Sequence, residues 1–249
     1  MHARFLAPGS YVTGDEIDLP HDEAQHLTRV LRLRAGDDVR VFDGRGREFT
    51  ATVVRAGRAA ASVRIGVRHA PAPEPRVAIT VAHAVLKGDK MDDVVRDAVM
   101  IGAATIQPIV TTRTEIALET LRRGHRRERW ERVAVSSAKQ CGRAVVPPIA
   151  EPVAFDALPD ALRALRVPEP AFMLVEPGAA AGAQALTEMG ADPPREATLV
   201  IGPEGGWTED ELDRAAAVCR LITLGGRTLR ADATGVVAIA ALFALWREF

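Results

Sequence analysis

Three glycine-bearing segments each follow an apolar run: Leu174-Val175-Glu176-Pro177-Gly178, Ile201-Gly202-Pro203-Glu204-Gly205-Gly206-Trp207, and Leu224-Gly225-Gly226-Arg227-Thr228-Leu229-Arg230. In open α/β sheets, ligands sit beyond the carboxyl ends of the strands. Three such turns side by side predict the floor of one pocket. The middle turn carries the most information. Its glycines permit positive φ and close approach of the backbone, and Thr208 followed by Glu211 predicts a capping box at the next helix start. It is not a phosphate loop, because no Gly-Lys-Ser/Thr follows, and Glu204 would repel an anion. A neutral or cationic ligand suits it better. S-adenosylmethionine has that chemistry: neutral adenosine, a sulfonium cation and a zwitterionic tail. The plainer reading is a tight strand–helix turn in which Glu204 only caps.

Other templates fail. Ser10, Ser62, Ser136 and Ser137 sit in no G-x-S-x-G elbow. The histidines at 2, 21, 26, 69, 83 and 125 lack H-x-x-x-H spacing, and Cys141 and Cys219 stand far apart, so no metal site is expected. His26 and His83 read as structural or RNA-contacting. Two cysteines in no framework suit a reducing cytoplasm. The N-terminal stretch has no long apolar core of a signal peptide, and the apolar run 236–246 is too short to span a bilayer.

The elements that must hold these turns change character at residues 69–76, HAPAPEPR, a stiff proline-bearing connector. We expect a boundary there, with domains 1–72 and 73–249. Before it, a helix over about 21–33 is expected, with Leu27, Val30 and Leu31 inward. Short strands follow: Val39 and Val41 on one face of the first, Phe49, Ala51 and Val53 on the next, Val63, Ile65 and Val67 on the third. A small barrel is the expected result. Beyond the connector, strands and helices alternate. Strands are expected at 77–82, 105–110, 171–175, 197–201 and 220–224. Helices are expected at 90–101, 126–140, 183–189, 209–218 and 233–246. That order predicts a mostly parallel sheet with helices on both faces.

Net charge is −1, but it is unevenly spread. Residues 24–69 hold ten Arg against four acids, and 113–147 hold nine basic residues against four acids. Residues 148–249 hold eight basic against fifteen acidic residues. This predicts either a polyanion met by part of the surface or simply a mixed, solvated exterior.

An ordered set of motifs then resembles one family nearly end to end. They are Arg4-Phe5; His26-Leu27-Thr28-Arg29-Val30-Leu31-Arg32; Leu86-Lys87-Gly88-Asp89-Lys90-Met91-Asp92; Ile106-Gln107-Pro108; Thr112-Arg113-Thr114; Glu128-Arg129-Trp130; Gln140-Cys141-Gly142-Arg143 with Val146-Pro147; and the last two glycine turns. The chain resembles the bacterial small-subunit rRNA uridine-N3 methyltransferases of the SPOUT superfamily, the RsmE type. The resemblance implies an N-terminal PUA-like β-barrel and a SPOUT α/β domain with a C-terminal trefoil knot. It also implies a cytoplasmic homodimer, S-adenosylmethionine as cofactor, and methylation at N3 of a uridine in the decoding region of 16S rRNA. The sequence departs from the family at Asp232, Met100 and Lys139, where glutamates are usual or frequent, and Thr234 is displaced by one position.

The expected cofactor residues are Leu174, Val175, Glu176, Ile201, Gly202, Pro203, Glu204, Gly205, Leu224, Gly225, Arg227, Leu229 and Arg230. For RNA the candidates are Arg4, Arg29, Arg32, Lys87, Lys90, Arg113 and Arg143. Methylating N3 requires loss of its proton or stabilisation of the anion. Arg230 is expected to stabilise the uridine anion, with Asp232 or Glu204 orienting it or taking the proton. Two other readings remain open: a SPOUT enzyme acting on another rRNA or tRNA base, and a non-catalytic rRNA-binding assembly factor.

Overall fold

The computed structural model describes residues 2–57, 60–160, 170–180 and 182–248. The chain forms two compact units, Met1–Glu74 with Val135–Val146, and Pro75–Ala134 with Pro147–Phe249. Residues 135–146, far along the chain, fold with the first unit.

Arg4 supplies much of the reason. Its Nη1 donates to the carbonyls of Ala138 (2.7 Å) and Lys139 (3.0 Å), and its Nη2 to those of Gly142 (3.2 Å) and Arg143 (2.9 Å). The same guanidinium forms a two-pronged pair with Glu48, at 2.9 and 3.0 Å. Arg4 is 9% exposed and Glu48 1%. This corrects the expectation that Arg4 contacts RNA, because its donors are spent inside the unit. Arg143 needs the same correction. It is buried and its guanidinium is paired with Glu74.

The first unit is a five-stranded sheet. Its strands are β1 (Arg4–Leu6), β2 (Glu16–Asp18), β3 (Asp38–Phe42), β4 (Glu48–Ala56) and β5 (Ala61–His69), in the order β1-β3-β4-β5-β2. Only β1 and β3 run parallel. One core takes side chains from every strand and from helix α1 (His21–Gln25), among them Phe5, Ile17, Val41, Val53, Val63 and Ala24. The turn between β3 and β4 closes on Asp43, whose carboxylate accepts the N–H groups of Arg45 (2.7 Å) and Arg47 (3.0 Å).

Three expected core positions face solvent instead. After Gln25 the helix widens into a π turn, His26–Val30, in which the N–H of Leu31 reaches back to the His26 carbonyl. That i→i+5 bond rotates the following side chains out of helical phase. Leu27 stays buried, but Val30 is 68% and Leu31 41% exposed, between exposed Arg29 and Arg32. Val67 is also turned out. The pairing of β4 and β5 slips between Phe49 and Ala51, giving β5 one extra residue and reversing its alternation.

The second unit is a seven-stranded, wholly parallel sheet. Its strands are β6 (Ala78–Ala84), β7 (Thr105–Val110), β8 (Val153–Ala154), β9 (Ala171–Leu174), β10 (Gln184–Ala185), β11 (Glu196–Ile201) and β12 (Arg220–Thr223). They lie in the order β10-β12-β9-β11-β6-β7-β8. The central strands are almost continuously buried, as parallel strands covered on both faces should be. Helix α2 (Lys90–Ile101) packs on helix α6 (Ala231–Leu245), which lies against β6 and β11. Leu212 and Ala215 of helix α5 (Glu209–Ala216) join a core with Ala82, Ile109, Met173 and Val200. Helix α3 (Leu118–Arg123) lies in this unit, and helix α4 (Arg126–Cys141) begins in it and ends among the residues of the first. The expected helix over 183–189 is replaced by β10 and a 3-10 turn, Leu186–Glu188. So short a segment gains more from completing the backbone bonds of β12 than from a helix nucleus. Among the described residues, no helix is long and apolar enough to cross a membrane.

Candidate functional site

Strands β12, β9, β11 and β6 are parallel neighbours, so the loops leaving their carboxyl ends open on one edge of the sheet. There they enclose a cleft of ≈ 220 Å³. Of the expected cofactor residues, Leu174, Val175, Glu176, Ile201, Gly202, Pro203, Glu204, Leu224, Arg227, Leu229 and Arg230 line it. Gly205 and Gly225 do not; both are exposed. The Gly205 carbonyl instead accepts a hydrogen bond from Arg113 Nη1 at 2.7 Å.

The cleft walls are braced by residues with little signal of their own in the sequence. The N–H of Gly206 bonds to the Pro203 carbonyl, closing a tight turn with Gly206 at φ +69°. Trp207 folds back across this turn, and its indole N–H donates to the Leu174 carbonyl at 2.9 Å. A single side chain thus ties the end of β9 to the loop after β11. Gly202 lies against the indole; a Cβ there would stand 2.9 Å from Trp207 Cε2. The one available clue in the sequence is the position of Trp207 directly after the glycines.

Thr208 caps α5, and the reciprocal bond from Glu211 completes the expected capping box. Glu211 is 1% exposed and also accepts the Thr112 N–H at 2.8 Å, linking the α5 start to the turn after β7. Burial opposes its ionisation, but bonds from Thr112 and Thr208 prevail and hold its carboxyl below the usual range. A carboxyl with a lowered folded pKa contributes stability above its unfolded pKa, and that contribution is lost as pH falls through the folded value. Glu211→Gln is therefore expected to cost about 1 kcal/mol at neutral pH and to flatten the acid limb of the stability curve. Urea unfolding at a series of pH values checks this. An acid limb as steep as that of the native chain would refute it.

Charges alternate around the cleft mouth. Glu204 Oε1 accepts from the Lys87 backbone N–H (3.3 Å) and Lys90 Nζ (3.1 Å). Partial burial works against its charge, but these bonds keep it below the ordinary carboxylate range. Arg230 donates through Nε and Nη2 to both oxygens of Asp232, at 3.0 and 2.8 Å. That pair holds the Asp232 carboxyl down as well. Carboxylates so stabilised are weak proton acceptors.

His83, at the end of β6, is 0% exposed. Its Nδ1 is 2.7 Å from the Ala84 carbonyl and its Nε2 3.1 Å from that of Ala231. Burial pushes the imidazole below its ordinary value, so it is neutral and donates to only one of them. His83 is thus a structural histidine under the first turn of α6. Lys90, expected at the RNA, lines the cleft. Lys87 and Arg113 are exposed on neighbouring loops.

A parallel sheet with a glycine-lined cleft at its carboxyl edge, in a chain that also carries a small β unit, describes a class that protein comparisons identify. Residues 73–243 match the family described as RNA methyltransferase domain, and residues 19–66 match the RNA methyltransferase PUA domain. The chain belongs to this RNA methyltransferase family. Among curated relatives, the ribosomal RNA small subunit methyltransferase E of Synechocystis sp. is 30% identical, over 98% of this chain and 78% of that protein. The protein of the same name from Mycobacterium bovis is 28% identical, over 94% of this chain and 89% of its own length. Among solved structures, ribosomal RNA small subunit methyltransferase E from Neisseria gonorrhoeae, bound to S-adenosyl methionine, matches with a TM-score of 0.88 at 30% identity. The match covers 99% of this chain and 98% of that one.

Proposed function

We propose that this chain methylates N3 of one uridine in the 16S rRNA of the small ribosomal subunit, with S-adenosylmethionine as donor, in the cytoplasm and as a homodimer. The observation that carries the reading is the cleft at the ends of β9, β11 and β12. Its residues fit the cofactor. Leu174, Ile201, Leu224 and Leu229 offer apolar walls to an adenosine, and Glu176 offers negative charge to a cation. Bound there, S-adenosylmethionine supplies a methyl group whose sulfonium sulfur leaves as a neutral thioether when the N3 electron pair takes the carbon. The chain's own residues hold the uridine in line with that carbon and stabilise the charge that N3 must carry.

In the first unit, Arg29 and Arg32 project with Val30 and Leu31 from the π turn, a cationic and apolar edge suited to phosphates and unstacked bases. Replacing both arginines by alanine is expected to weaken subunit binding. The slope of log affinity against log salt should also fall, by roughly one unit for each phosphate no longer neutralised. Filter binding across a salt series measures it; an unchanged slope removes these residues from the interface.

The test of the function is mass mapping of rRNA after incubating the protein and S-adenosylmethionine with unmethylated small subunits, with bulk tRNA as the competing substrate. One added methyl on a single 16S uridine is the expected result. Methylation of tRNA alone would move the enzyme to another substrate. Calorimetry showing no affinity for the donor would point to an assembly factor instead.

A further inference from the structure

Ionising a uridine imide is the energetic obstacle in N3 methylation, and the cleft contains a cation placed to meet it. Among the described residues, three cations line the cleft: Lys90, Arg227 and Arg230. Arg230, its side chain 73% exposed, is tied through Nε and Nη2 to Asp232. Arg227 sits on an exposed glycine loop. Lys90 is different. It is the first residue of α2, a rigid element buried along Met91, Val94 and Val95. Its ammonium is anchored by Glu204 at 3.1 Å, and its side chain, 40% exposed, lines the cleft. An ammonium has three N–H donors, and Glu204 takes one. The remaining donors belong to a compact point charge that shares the cleft with the Arg230–Asp232 pair.

We propose that Lys90 is a catalytic residue that donates to a carbonyl oxygen of the target uridine and stabilises its N3 anion. This rests on the uridine-N3 reading above. When the N3–H bond breaks, the electron pair stays on nitrogen and spreads onto the two flanking carbonyl oxygens, and the proton passes to water. Glu204 and Asp232, both held as carboxylates, are poor acceptors for it, so the chain lowers the cost of ionisation mainly through cations. Glu204 keeps the ammonium in place, and Asp232 does the same for Arg230. A phosphate-binding lysine would need none of this anchoring and would gain from standing clear of a carboxylate.

The proposal predicts how the acidity of the substrate should matter. Small subunits are reconstituted with 16S rRNA carrying either uridine or the more acidic 5-fluorouridine. Single-turnover methylation is measured for the native chain, Lys90→Met and Lys90→Arg. Equilibrium binding of the same subunits is measured without donor, at neutral and alkaline pH. Losing one donor to a developing anion is expected to slow Lys90→Met by about 10²-fold on uridine at neutral pH. The deficit should shrink on 5-fluorouridine and at alkaline pH, where the imide ionises unaided. Lys90→Arg should keep a substantial part of the rate. In the binding arm, the native chain should hold fluorinated subunits more tightly as pH rises, and Lys90→Met should lose that gain.

An equal deficit on both substrates, with the same pH dependence of binding in both proteins, would overturn the role and leave Lys90 as a phosphate or structural contact. Thermal unfolding and donor calorimetry on each variant keep a folding defect or a lost cofactor apart from this outcome. If the native chain leaves uridine subunits unmethylated, the uridine-N3 reading itself fails. If it methylates them and the two deficits are equal, only the role of Lys90 fails.

Discussion

Arg4→Ala is expected to destabilise the first unit by about 3–5 kcal/mol, the cost of leaving one partner of a buried ion pair alone. Glu48 is 1% exposed, and both oxygens of its carboxylate are matched by the Arg4 guanidinium. Removing the guanidinium strands that charge and also frees the carbonyls of Ala138, Lys139, Gly142 and Arg143. Water reaches some of these groups more easily than others, hence the range. Arg4→Lys should recover only part of the loss, because an ammonium lacks the planar fork that spans a carboxylate and several carbonyls at once. Arg4→Met with Glu48→Leu should be far less damaging than Arg4→Ala, since it removes both charges together. Urea unfolding followed by circular dichroism reads all three. A loss below about 1 kcal/mol for Arg4→Ala would mean that the pair is solvated in solution and does not hold residues 135–146 to the β unit.

Gly202→Ala is expected to lower the affinity for S-adenosylmethionine about tenfold or more while leaving the fold in place. The added Cβ would stand 2.9 Å from Trp207 Cε2 and 3.0 Å from its Nε1, closer than carbon atoms pack. Either the loop or the indole must move. Overpacking of this kind costs about 1–3 kcal/mol. If the indole moves, its bond to the Leu174 carbonyl is lost with it, and with that the link between two walls of the cleft. A penalty of about 1.4 kcal/mol on the binding-competent arrangement is tenfold in affinity. Gly202→Ala combined with Trp207→Phe should recover part of the binding, because the smaller ring makes room although it cannot donate to Leu174. Calorimetry with the donor is the direct measurement. Unchanged affinity in Gly202→Ala would show that the cleft tolerates a displaced Trp207 and that the 202–206 turn is not what shapes the cofactor site.

Much of this protein can be read from its residues. Period-2 runs such as Phe49, Ala51 and Val53 specify a strand and which face is buried. The spacing of Met91, Val94, Val95, Ala98 and Val99, ending at Gly102, specifies α2 with its observed bounds, 90–101. The capping box of Thr208 and Glu211 marks the start of α5. These are local rules, satisfied within a few residues, so they survive without knowledge of the rest of the chain. The glycine turns carry their chemistry in the same way: a turn that repels anions and follows a buried strand is legible wherever it occurs.

Tertiary structure decided what depends on partners far away in the chain. No local pattern says that Arg4 spends its donors on Glu48 and on the carbonyl of Ala138, 134 residues away, so a basic residue near a cationic stretch reads as an RNA contact. Nor does periodicity reveal the π turn at 26–30 or the slipped register at Gly66 and Val67, because each is a one-residue phase change that the residue types do not mark. The placement of Lys90 in the cleft follows the same logic. Its partner there, Glu204, lies 114 residues further on, and only the parallel order β9-β11-β6 brings the two to one edge. Residue types set which chemistry was available, and long-range pairing set where each charged group stands and what holds it there.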